Sequence, residues 1–198
     1  MIIASLAISI GTGLAGFIID KRIVLVSYCF IIPLALLLPY FFYYFDLKVK
    51  KTVNLNWVKK IDFFAFFIVV FNAPGSLFLH DLNFQYDRFL HFAVAFFSLI
   101  VFFLLWLPVS KIRCKKVKKR DFLLIVFIVL FIALFFWESV QYSIDQRFGT
   151  KLFFDKNQDI RIDLLEDIIF GLLGLIVGLL YLTHNFDKIT SSVCKQEK

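Results

Sequence analysis

Long apolar runs alternate with short polar connections along almost the whole chain, and their lengths decide what each can be. A helix needs roughly 20 mostly apolar residues to cross the hydrocarbon layer of a bilayer. Runs of that order occupy residues 2–19, 23–45, 61–79, 89–107, 122–142 and 164–182. The pattern predicts an all-α polytopic membrane protein, with six transmembrane helices in one bundle and residues 1–198 forming a single transmembrane domain. Asp20-Lys21-Arg22 leaves so little chain between the first two runs that they are expected to form an antiparallel hairpin. The first run has no basic residues ahead of it and another run follows after three residues, so it reads as a retained anchor rather than a cleaved signal.

Composition agrees: 61% of the residues are hydrophobic and the mean hydropathy is +0.84, which excludes a soluble globular chain with one buried core. The 28 phenylalanines read as lipid-facing bulk rather than as a platform for stacking bases. The net charge of +7 changes the picture only through its distribution. Lys48, Lys50, Lys51, Lys59 and Lys60 sit in the second connection, and Lys111, Arg113, Lys115, Lys116, Lys118, Lys119 and Arg120 crowd the fourth. With Lys188, Lys195 and Lys198 after the last run, fifteen basic residues share one side with the N-terminus. The other side holds six: Lys21, Arg22, Arg147, Lys151, Lys156 and Arg161. The positive-inside rule then places both termini in the cytoplasm of a multi-pass inner or plasma membrane protein. The basic connections are topology signals and contacts for anionic membrane lipids, not a nucleic-acid surface. Cys29, Cys114 and Cys194 show no paired spacing, so neither a disulfide framework nor a zinc knuckle is indicated.

Two features shape the helices themselves. Gly11, Gly13 and Gly16 in the first run, and Gly171, Gly174 and Gly178 in the last, are small residues at helical spacing that let membrane helices approach closely, within the chain rather than across a dimer seam. The oligomeric state stays open. Asn72-Ala-Pro-Gly-Ser76 interrupts the third run, where Pro74 predicts a kink or a broken helix, with or without a cavity beside it. The connection from Ser143 to Ile162 carries an apolar Phe153-Phe154 pair and reads either as a lid or as a solvated loop anchored at the interface.

On an up-and-down path the ionisable candidates converge on the non-cytoplasmic face, opposite an end that is almost all lysine and arginine. Asp87 and His91 share a helical face, as do Glu138 and Gln141, with Asp145 two turns on if that helix persists. Asp163 and Asp167 repeat the four-residue spacing, where a capping role at a helix N-terminus is the plain alternative. Glu138 follows Trp137 and an apolar run, so a partner such as Arg88, His91 or a bound cation is expected. Glu138 and His91 are expected to be the most buried members. Mixed oxygen and imidazole ligands suit Zn²⁺ or Mn²⁺, and all-oxygen ligation suits Mg²⁺ or Ca²⁺. A carboxylate–His pair, here Glu138 and His91, could serve as a general base, and the whole set could equally be a polar network that ties three helices together.

Asp87-Arg88-Phe-Leu-His91-Phe92, Trp137-Glu138-x-x-Gln141, and Asp163-x-x-x-Asp167 ahead of Gly171 and Gly174 together resemble the VanZ-like membrane proteins. The likeness covers roughly residues 86–178. VanZ-like sequences tend to carry Asn where this chain has Asp167, and the chain is more similar to the related YjdF-type bacterial inner-membrane proteins. The resemblance implies candidate residues and a cell-envelope setting, and no particular reaction. The leading expectation is a metal-dependent enzyme acting on an amphipathic lipid or lipid-linked substrate. Asp87, His91, Glu138 and Asp167 would hold a divalent cation (Zn, Mn or Mg), supported by Gln141, Asp145, Asp163 and Arg88. A non-catalytic protein that binds or transports an ion or lipid headgroup, and a structural scaffold, are the alternatives.

Overall fold

A computed structural model describes residues 1–18, 27–74, 84–113, 118–148 and 159–195, and every regular element among them is a helix. They are α1 (Ile2–Ile18), α2 (Ile32–Phe45), α3 (Leu47–Thr52), α4 (Leu55–Pro74), α5 (Phe84–Arg113), α6 (Lys119–Phe148) and α7 (Ile160–Val193). A single π-helical turn, Ser27–Ile31, leads into α2.

Among the described residues four stretches, not six, are long and apolar enough to cross a membrane: Tyr28–Phe45, Tyr86–Ser110, Lys119–Ser143 and Ile160–Val193. Within the described residues the other two expected spans are shorter or more charged than these four. α1 has 17 residues, about 26 Å of helix at 1.5 Å per residue, against roughly 30 Å of hydrocarbon. α4 begins at Leu55 rather than 61 and so takes Lys59, Lys60 and Asp62 into its first half. It stays helical to Pro74, the last residue of the element. Residues 75–83, the remainder of the expected break, lie outside the described residues. Pro39 and Pro108 sit inside α2 and α5 without ending them.

α5, α6 and α7 form one half of the packing and α1, α2 and α4 the other, with α4 against α5 joining them. The inner face of α7 reads Asp163, Asp167, Gly171, Gly174, Gly178, Leu182, Ile189 and Val193, all buried at helical spacing. A Cβ on Gly174 would lie 2.2 Å from the Phe92 carbonyl oxygen, and one on Gly178 would lie 2.9 Å from Leu99. The glycines therefore serve packing within the chain: they let α7 touch the backbone of α5. In α1 the buried face is Ser5, Ser9, Thr12, Gly13 and Gly16, and the Ser9 hydroxyl donates to the Tyr28 carbonyl at 2.5 Å. The two first runs thus meet as a hairpin requires, although the Asp20-Lys21-Arg22 turn lies outside the described residues.

Phenylalanine is used on both sides of the wall. Phe41, Phe45, Phe63 and Phe136 are exposed, as lipid-facing bulk should be. Between α4 and α5, however, Phe67 stacks on Phe97 at 5.2 Å and Phe71 meets Phe89 edge-on at 5.2 Å, so part of the aromatic content is interior packing. The basic end also holds more acid than its composition suggests. Asp46 caps α3 by accepting from the Lys48 and Val49 amides, Asp187 faces Lys119 at 3.8 Å, and buried Asp62 accepts from the Tyr40 hydroxyl. At that same end the Trp57 indole donates to the Leu104 carbonyl at 2.6 Å. The Asn54 amide donates to the Val193 carbonyl at 2.8 Å, clasping the end of α7 to the start of α4.

Candidate metal centre

Three helix ends supply the site. α5 carries Asp87 and His91 one turn apart near its start, α6 carries Glu138 and Gln141 near its end, and α7 carries Asp163 and Asp167 near its start. Each pair shares a face because residues four or three apart lie above one another on a helix. The pairs meet because the glycine stripe of α7 lies on α5: Gly174 packs at Phe92, the residue next to His91.

His91 is the centre of the arrangement. Its Nε2 lies 3.6 Å from Asp87 Oδ1 and 3.4 Å from Asp167 Oδ1, and its Nδ1 lies 3.5 Å from Glu138 Oε1. Glu138 is the most buried of the four at 2% exposure, although the preceding Trp137 is 53% exposed and turned outward. His91 is less buried than expected, with a side chain 14% exposed, more than the carboxylates around it. Buried oxygens of Glu138, Asp167 and Gln141 accept no hydrogen bond among the described residues. Burying acceptors without donors is costly, so these oxygens fit a group that brings positive charge or protons.

The distances are compatible with a set of metal ligands. Zinc bonds of about 2.0–2.2 Å to nitrogen and oxygen place neighbouring ligand atoms ~3.4 Å apart on a tetrahedron. Asp87 Oδ1, Asp167 Oδ1 and His91 Nε2 have that spacing on the two edges measured, and the three ligand atoms lie within 4.8 Å of one another. Glu138, also expected among the ligands, faces the other ring nitrogen. There it would accept the Nδ1 proton and fix both the tautomer and the ring plane, as carboxylates commonly do behind a metal-bound histidine. The residues fit a divalent ion with three protein ligands and open positions.

The remaining expected members fall into different places. Asp163 is buried one turn from Asp167, but the capping role belongs to Asp159, whose carboxylate accepts from the Arg161 amide at 2.8 Å. α6 does persist through Asp145 to Phe148, which shortens the expected Ser143–Ile162 connection. The Asp145 side chain and the candidate lid at 149–158 lie outside the described residues. Arg88, expected as a partner of Glu138, is engaged by Glu166 through two bonds, Nη2 to Oε1 at 2.5 Å and Nε to Oε2 at 3.0 Å. Glu166 was not among the sequence candidates; the signal for it is an acid preceding Asp167 as a base follows Asp87.

The family described as "Predicted membrane protein (DUF2238)" matches residues 1–188. No curated protein and no solved structure matches the chain.

Proposed function

We propose, for a chain that belongs to the DUF2238 family of membrane proteins, a divalent-cation site within the bilayer whose ion acts on the headgroup of an amphipathic lipid or lipid-linked substrate. One observation carries this reading: two carboxylate oxygens, from α5 and α7, face a single imidazole nitrogen at the edge lengths of a coordination shell. Asp87, His91 and Asp167 would hold the ion, and Glu138 would hold His91. With its Nε2 committed to the cation, His91 serves as a ligand rather than as the general base. A divalent cation bound there by Asp87, His91 and Asp167 would supply Lewis-acid chemistry, activating a water near neutral pH.

The setting is the cell envelope, which the likeness to VanZ-like and YjdF-type proteins over residues 86–178 also favours. α1 and α4 complete six spans, in one transmembrane domain. In support, α1 turns Ile3, Ile10, Leu14 and Phe17 outward while burying its serines, Gly13 and Gly16, as a lipid-facing helix does. Both termini then lie in the cytoplasm and the site opens outward, so an externally applied thiol reagent should label a cysteine placed at Asn157 and miss one at Lys116. The opposite labelling pattern would invert the whole assignment.

Metal analysis of the purified protein tests the site. Wild type is expected to hold one equivalent of Zn²⁺ or Mn²⁺, and Asp167→Asn, which loses an anionic ligand while keeping its shape, little or none. Wild-type protein that takes up no ion from either metal at micromolar concentration would sink the proposal.

A further inference from the structure

Within the described residues of the candidate centre, Arg88 is the one cationic side chain, and it is built differently from the carboxylates beside it. Asp87, Glu138 and Asp167 have side chains 3–7% exposed, whereas Arg88 and Glu166 are both 26% exposed. Its guanidinium lies over the Phe170 ring, 5.7 Å from the centroid, which orients its plane. Two of its nitrogens bond both oxygens of Glu166, the fork geometry that arginine also offers to phosphate. Phe89, next to Arg88, and Leu165 and Ile169, flanking Glu166 and Asp167, are exposed on the same two helices and turn apolar surface to the surroundings. An apolar wall beside a half-open arginine one residue from a metal ligand has the polarity of a lipid whose head is anionic.

We infer that Arg88 is the headgroup receptor of this site, that its ligand is a phosphate group, and that Glu166 occupies the receptor until the phosphate displaces it. This rests on the proposed cation site for what happens to the headgroup, but not for its binding. Glu166 mimics the phosphate: it offers two oxygens in one plane, and its charge competes with the incoming anion. Removing the competitor must therefore tighten binding, a sign that a purely structural ion pair does not produce.

Titration calorimetry of purified full-length protein with inorganic phosphate, in wild type, Arg88→Gln, Arg88→Lys and Glu166→Gln, reads this directly. Glu166→Gln should bind phosphate about tenfold more tightly than wild type, and Arg88→Gln at least about tenfold more weakly, as expected for charge-assisted bonds. Arg88→Lys keeps the charge without the fork and should fall between them. Repeating the series in nanodiscs of an uncharged-head lipid, with and without a phosphomonoester lipid, separates the sources. A lipid ligand gives Arg88-dependent binding of the phospholipid tighter than that of free phosphate, and a soluble one gives equal values. A Glu166→Gln protein that binds phosphate no better than wild type overturns the inference, as does wild type with no phosphate binding. Metal content measured on the same samples keeps the two ideas apart. Bound metal without phosphate removes only this inference, and Arg88-dependent phosphate binding in wild type that takes up no metal removes only the metal reading.

Discussion

Gly174→Ala is expected to cost more stability than a methyl added at Gly11, Gly171 or Gly178. Its Cβ would sit 2.2 Å from the Phe92 carbonyl oxygen and 3.0 Å from the carbonyl carbon, and backbone cannot rotate out of the way. α5 and α7 must part, at a cost of the order of 1–3 kcal/mol for an overpacked contact, and more if the helices cannot move as bodies. The loss should show as a lower Tm in detergent. It should extend to metal binding as well, because Phe92 follows His91 and any shift there carries the imbalance into the ligand set. Gly171→Ala is the control on the same helix face: its Cβ meets the Leu134 side-chain end at 2.7 Å, and a leucine can change rotamer. Gly11→Ala, with nothing within 4 Å, should be neutral. Equal stability of Gly174→Ala and wild type would mean that α5 and α7 do not touch in this way.

Chelation is expected to reverse the order of stability of wild type and Glu138→Gln. An ion present at 100 times its Kd stabilises the folded state by about 2.7 kcal/mol, so metal-loaded wild type should melt well above the same protein in chelator. Glu138→Gln keeps an acceptor for the Nδ1 proton but loses the charge that strengthens His91 as a ligand. Its metal affinity should fall about 10- to 100-fold, the usual effect of removing a carboxylate behind a ligating histidine. Without metal the sign changes. Three buried carboxylates then face one imidazole, and neutralising one of them relieves repulsion and desolvation, so metal-free Glu138→Gln should match or exceed metal-free wild type. Thermal melts with and without chelator give all four values. Indifference of the wild type to both chelator and added metal would leave a polar scaffold, the reading in which these residues only join helices.

The membrane character of the protein was legible in the sequence, because it depends on the length and polarity of contiguous runs. So was the pairing of candidates on each helix: Asp87 with His91, Glu138 with Gln141, and Asp163 with Asp167 follow from 3.6 residues per turn alone. That three such faces would meet was an inference from an up-and-down path, and the close approach of α7 to α5 supplies the physical reason they do. Gly171, Gly174 and Gly178 continue the face of Asp163 and Asp167, so the sequence that places the acids also places the contact that brings them to His91. The span count was less legible, since the window at 61–79 passes over a helix that starts at Leu55 and carries Lys59, Lys60 and Asp62.

What only the tertiary structure decided is which atom faces which. Sequence spacing cannot separate the two nitrogens of His91, yet Glu138 faces one of them and Asp167 the other. Nor can it choose between Glu138 and Glu166 as the partner of Arg88. Both lie across a helix gap at distances in sequence where periodicity says nothing, and the choice rests on how α7 is rotated against α5. Helical period fixes what one helix presents along its own surface, and the packing of backbone against glycine fixes how two such surfaces meet.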